Sequence, residues 1–201
     1  TKQKKILIVD DDLHLRNAIK KSLHNEGYSV DSAAGIEECK LKLIDNTPDL
    51  LILDVVLPDG DGIDFAISTK NNANYSSLGI LLMSGLKTDH DYVSRALQGG
   101  ALHFSQKPFD IKELIDRVKL IFRVMDLEEN RFQLEQRFNY FFRNVTDITF
   151  ILGSKSEIIE ISKSYEDISG LSAIGIEGKM FSDLLSESSV EKFQKNFNSV
   201  V

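Results

Sequence analysis

Five short apolar runs, separated by stretches with helical periodicity, constrain this chain more than any other feature. The runs are Lys5–Val9 (KILIV), Ser29–Ala33 (SVDSA), Asp49–Leu53 (DLLIL), Gly79–Met83 (GILLM) and Leu102–Gln106 (LHFSQ). Apolar side chains recur at helical spacing in between: Leu15, Ala18, Ile19 and Leu23, then Ile36, Cys39, Leu43 and Ile44, then Tyr92, Val93, Ala96 and Leu97. Three of the runs are almost wholly apolar, as expected of strands covered by helices on both faces of a parallel sheet. The pattern predicts an α/β fold: a doubly wound, five-stranded parallel sheet.

Local signals agree with that reading. Asn25-Glu26-Gly27 offers a left-handed stop to the first helix, Thr47-Pro48 closes the second, and Gly99-Gly100 the fourth. Asp110-Ile111-Lys112-Glu113 has the form of a capping box opening a fifth helix. Asp12 is read as a cap on the first.

Composition narrows the function classes. A 201-residue chain with 42% hydrophobic and 27% charged residues can bury a proper core. Its single cysteine, Cys39, cannot form an internal disulfide, which fits a reducing cytoplasm. The net charge of −7 argues against nonspecific nucleic-acid binding by this segment. The four-residue run Ile6–Val9 is too short for a signal sequence or membrane span.

Ligands of open parallel sheets bind beyond the carboxyl ends of the strands. There the first run is followed by Asp10-Asp11-Asp12, the third by Asp54, the fourth by Ser84, and the fifth by Lys107-Pro108. Clustered carboxylates repel unless a cation joins them, which invites a hard divalent ion, Mg²⁺ being the natural candidate. Mg²⁺ prefers to share its shell with phosphate, so Lys107 and Ser84 read as partners for phosphoryl oxygens. The implied chemistry is phosphoryl transfer to a carboxylate, with Asp54 as nucleophile.

These residues stand in motifs. KKILIVDDD (4–12), PDLLILDVVLPDGDGI (48–63), ILLMSG (80–85) and GALHFSQKPF (100–109) together closely resemble the receiver domain of two-component response regulators. The resemblance covers residues 4–122 and implies a flavodoxin-like fold with Asp54 as phosphoacceptor, fed by a sensor histidine kinase or phosphotransfer protein. It implies Mg²⁺ held by Asp10, Asp11, Asp54 and the Val56 carbonyl. Ser84 and Lys107 would act with Asp54 on the phosphoryl group, and Lys107–Pro108 would be cis. Ser84 and Phe104 would form the conformational switch; phenylalanine lacks the phenol oxygen of the commoner tyrosine, so it can swing but not hydrogen-bond. Apolar Val56 and Leu86, two residues beyond the acceptor and the hydroxyl, suggest slow self-dephosphorylation. His14, His24, His90 and His103 show no metal-ligand spacing.

Beyond residue 122 the absence of Pro and Gly from Ile111 to Arg143 predicts one long helix. Ile111, Leu114 or Ile115, Val118, Ile121 or Phe122, Met125 and Phe132 give a loose heptad, broken by Glu128 and Glu129, suggesting a signalling helix and a homodimer through it. Asp147–Leu152 (DITFIL) and Glu157–Ser162 (EIIEIS) flank a Gly153–Ser156 turn, and GKMFSDLL follows at 178–185. Residues 134–201 resemble the first half of a PAS domain. The expected organisation is a receiver at 1–122, a signalling helix at 123–143 and a truncated PAS-like segment at 144–201, in a cytoplasmic, bacterial protein whose output domain lies elsewhere.

Two alternatives compete. A degenerate receiver would serve only as a dimerisation scaffold, yet no acidic-pocket residue is missing. A haloacid-dehalogenase-type phosphatase would want an Asp-x-Asp pair, which Asp54-Val55-Val56 lacks. The chain is therefore expected to modify itself and not to act as an enzyme on other molecules.

Overall fold

The structure, a computed structural model, describes residues 3–85, 94 and 97–199. Leu86 and His90, and the fourth-helix positions Tyr92, Val93 and Ala96, lie outside the described residues. The chain divides into two compact units, residues 1–127 and 128–201.

In the first unit, β1 (Lys5–Val9), β2 (Ser29–Ala33), β3 (Leu50–Asp54), β4 (Gly79–Ser84) and β5 (His103–Gln106) form one parallel sheet in the order β2-β1-β3-β4-β5. Helices α1 (Leu13–Asn25), α2 (Ile36–Asp45) and α3 (Gly62–Lys70) connect the first four strands, and α4 (Ile111–Asn144) follows β5. This is the doubly wound sheet expected from the sequence.

Side chains alternate across each strand, so every central strand feeds two cores. Leu7, Val9, Leu51, Leu53, Ile80 and Leu82 pack with Ile36, Cys39 and Leu43 of α2 and Ile63 and Ala66 of α3. Ile6, Ile8, Leu50, Ile52, Leu81 and Met83 pack with Ile19 and Leu23 of α1 and Leu114, Val118, Ile121 and Phe122 of α4. Burial, reinforced by nearby Asp59, pushes the Cys39 thiol up to about 12, so it acts as a small hydrophobe.

Helix boundaries follow their local chemistry. Asp12 caps α1, its carboxylate accepting from the His14 and Leu15 amides at 2.8 and 3.1 Å. Gly27 leaves that helix at φ +91°, a conformation glycine adopts without a Cβ penalty. The Asp110 carboxylate accepts from the Lys112 amide at 2.8 Å, while Glu113 pairs instead with Arg117 one turn on. The boxed cap is thus realised on the Asp110 side.

The sequence does not signal α3. It is entered from a ribbon pairing Val56–Leu57 with Gly60–Asp61, and its buried face includes Gly62 and Thr69 while Ile67 is half-exposed, which blurs the apolar period.

One expectation is corrected. Leu114, Val118, Ile121, Phe122 and Met125, read from sequence as a coiled-coil seam, are occupied by the helix's own sheet. That stripe is core.

In the second unit, β6 (Phe150–Leu152) and β7 (Ile158–Ile161) form an antiparallel pair, extended by a bridge between Glu157 and Met180. Ile158, Tyr165 and Ile176 centre its core, with Phe150 and Phe181 packed edge to face at 4.8 Å. The short helix α5 (Ser164–Ser169) ends on Gly170, and α6 is Glu187–Phe197. The Ser162 hydroxyl accepts from the Thr149 amide at 2.9 Å and donates to the Asp147 carbonyl.

Candidate functional site

The carboxyl ends of β1, β3, β4 and β5 bring the predicted polar residues together. Asp10 follows β1 and is fully buried, Asp54 ends β3 at 6% exposure, and Ser84 ends β4 fully buried. Lys107 reaches in from beyond β5. Its Nζ donates to Asp10 Oδ2 and Asp54 Oδ2, both at 2.6 Å. Its own amide donates to the Ser84 carbonyl at 2.7 Å, registering the loop against β4, and Lys107–Pro108 is cis.

The electrostatics are those of one cation shared by two buried acids. Burial holds the Asp54 carboxyl above its ordinary value, against the opposing hydrogen bond and charge of Lys107. Burial also disfavours the Lys107 ammonium, but its hydrogen bonds to Asp10 and Asp54 outweigh that and lift it above the usual lysine value.

Carboxylate oxygens of Asp10, Asp11 and Asp54 come within 4.8 Å of one another, with Asp11 on the exposed side. Ligand oxygens around an octahedral ion with bonds of about 2.1 Å stand roughly 3 to 4 Å apart. The all-oxygen donor set fits a hard divalent ion. The Val56 amide donates to Asp54 Oδ1 at 3.4 Å, orienting the carboxylate, and the Val56 side chain is exposed at the rim. Phe104 lies partly buried against the β4 side of the core. The structure thus brings together Asp10, Asp11, Asp54 and Lys107, with Ser84, Val56 and Phe104 on the elements that frame them.

Three supporting residues escape sequence reasoning. Arg16, one turn into α1, donates to the Asp10 carbonyl and ties that helix to the acidic loop. Gly62 opens α3 against the end of β3: a Cβ there would sit 2.1 Å from the Asp54 carbonyl oxygen. Its amide donates to the Val55 carbonyl at 2.8 Å, so the Gly in the quoted DGDG stretch was the available signal. Asp59 caps α2 from 23 positions away, accepting from the Ile36 and Glu37 amides at 2.9 and 3.0 Å. No local spacing could reveal that contact.

Comparisons with known proteins point the same way. Residues 6–119, more than half of the chain, match the family model described as response regulator receiver domain. The KDP operon transcriptional regulatory protein KdpE of Escherichia coli (strain K12) is 33% identical over 118 residues, covering 59% of this chain and 51% of that protein. A CheY-like response regulator receiver domain protein from Methanospirillum hungatei JF-1 superposes with a TM-score of 0.59 at 26% identity, covering 63% of this chain and 99% of that one. The beryllofluoride-activated NtrC4 receiver domain dimer gives a TM-score of 0.57 at 28% identity, over 61% and 99% of the two chains. The chain spans about half the length of the curated relatives it matches. Fold, acidic pocket and sequence match agree: the chain belongs to the response regulator receiver domain family of two-component signalling.

Proposed function

We propose that this receiver is a working phosphoacceptor and that Asp54 is the residue modified. The carrying observation is the shared ammonium: Lys107 bridges Asp10 and Asp54 at 2.6 Å each, beside a third carboxylate. A carboxylate oxygen of Asp54 attacks phosphorus, and the bond from phosphorus to the donor's imidazole nitrogen breaks with its electron pair leaving on that nitrogen. The donor is a sensor histidine kinase or phosphotransfer protein. Lys107 then turns from Asp54 toward a phosphoryl oxygen, and the Ser84 hydroxyl supplies a hydrogen bond to the same group. Asp10, Asp11, Asp54 and the Val56 carbonyl would hold Mg²⁺, whose charge offsets that of the phosphoryl oxygens. Phe104, partly buried, moves with Ser84 as the switch. The chain acts on itself and not as an enzyme on other substrates; apolar Val56 and Leu86 keep hydrolysis slow, and an acyl phosphate lost within seconds would overturn that point.

The same reading carries the signal through α4 to a PAS-like module in a cytoplasmic, bacterial protein with a separate output domain, and pairs two copies through that helix. The order of helix, antiparallel hairpin and short helices after residue 128 supports the PAS-like assignment. Incubation with radiolabelled acetyl phosphate and Mg²⁺ tests the core claim. Wild type should take up hydroxylamine-labile label and Asp54→Asn none; label of equal extent in both would refute Asp54 as acceptor, and none in either would favour a dimerisation scaffold.

A further inference from the structure

Once its own sheet has covered one side of α4, a second apolar stripe is left over. Leu120, Val124, Leu127, Leu134, Phe138 and Phe141 are each between 42 and 69% exposed. With Arg131 they succeed one another at intervals of four, three, four, three, four and three residues. That is an unbroken heptad seam, with Val124, Arg131 and Phe138 at a and Leu120, Leu127, Leu134 and Phe141 at d. The sheet-facing residues Leu114, Val118, Ile121, Phe122 and Met125 take b, e and f positions, so the two stripes do not compete. Upstream the seam stops at Glu113 and Arg117, which pair with each other.

We infer that this seam is a parallel, in-register coiled coil with a second copy of this chain. The inference rests on the reading of α4 as the carrier of the signal and specifies its face, register and partner. Leucine at d with β-branched valine at a favours two strands, and a single polar residue at a, here Arg131, fixes register at some cost in stability. Glu128 and Glu135, three and four residues away on the same helix, temper the meeting of two Arg131 side chains.

The flanking charges choose the partner and its direction. The g positions carry Arg123, Asn130 and Arg137, all exposed, and the e positions the exposed Glu128 and Glu135 and the buried Phe142. In a parallel self-pair each g side chain meets the e side chain five residues on in the other helix, so Arg123 faces Glu128 of the second copy. An antiparallel pair would set e against e and g against g, glutamate on glutamate and arginine on arginine. The opposite-charge Arg123–Glu128 pair, and Asn130 donating toward Glu135, therefore favour the parallel direction.

The full chain tests this by mass and cross-linking. Light scattering should give twice the chain mass for wild type, and the single chain mass for Leu127→Glu/Leu134→Glu with its helical circular dichroism retained. Under mild oxidation Leu134→Cys should link two chains, because d positions face each other in register, whereas Phe132→Cys at b should not; Cys39, fully buried, does not compete. A monomeric wild type would overturn the inference, as would an unchanged mass in the double variant. Leu134→Cys failing to link faster than Phe132→Cys would overturn the parallel register. None of these readouts needs a phosphoryl group, so failure of the seam and failure of Asp54 as acceptor show in separate experiments.

Discussion

Replacing Lys107 by methionine removes the ammonium that Asp10 and Asp54 share and leaves two carboxylates facing each other in a pocket where Asp10 is fully buried and the Asp54 side chain 8% exposed. Breaking a buried ion pair by deleting one partner costs about 3–5 kcal/mol, because the remaining charge loses its compensation. The lower end applies here, since the Lys107 side chain is 20% exposed and water can reach the vacated position. Urea unfolding at neutral pH in EDTA should therefore show a loss of about 3 kcal/mol, roughly a hundredfold in the folding equilibrium. The cost should shrink by about 1–2 kcal/mol in an Asp54→Asn background, where a single charge is left uncompensated. Saturating Mg²⁺ should return about 2–3 kcal/mol by binding the folded state alone. A Lys107→Met chain within about 0.5 kcal/mol of wild type, or the same cost in both backgrounds, would refute the shared-cation reasoning.

Two further outcomes follow from the loops around the pocket. Gly62→Ala sets a Cβ 2.1 Å from the Asp54 carbonyl oxygen and 2.9 Å from Val55 Cα, both backbone atoms that cannot swing aside, so urea unfolding should register a loss of at least about 2 kcal/mol. Asp59 is held below its ordinary carboxyl value of 3.8 by hydrogen bonds from the Glu37 and Ile36 amides. Its contribution to stability is present above that value and is lost as pH falls through the lower folded value, so the difference in stability between wild type and Asp59→Asn should narrow on acidification from about pH 5.

The parallel strands were legible because each central strand is covered twice and reads as one apolar run; β1 and β2 fall on the expected residues, and β3 to β5 within one. Asp12 was legible as a cap because its partners lie two and three residues away. The acidic pocket could be read because a parallel sheet collects its strand ends on one edge, so Asp10, Asp54 and Lys107 converge although they span 97 positions. What failed to show has equally specific causes. Helix α3 puts the non-hydrophobic Gly62 and Thr69 on its buried face and leaves the apolar Ile67 half-exposed, so its apolar residues carry no clear period. Gly62 and Asp59 act through backbone contacts that no spacing encodes. Helix α4 carries two apolar stripes, and sequence alone does not say which one its own sheet takes. The sheet takes the stripe through Leu114 and Val118, leaving the one through Leu120 and Leu134 exposed.

The most direct test of Asp54 as the phosphoacceptor is binding of beryllofluoride with Mg²⁺, followed by fluorine NMR on wild type and Asp54→Asn. Beryllofluoride bonds to a carboxylate oxygen and imitates the phosphoryl group without turnover. Wild type should show bound fluorine resonances that require Mg²⁺ and vanish in Asp54→Asn. Bound resonances of equal strength in the variant, or none in wild type, would contradict the assignment of Asp54 and its pocket as the phosphoryl site.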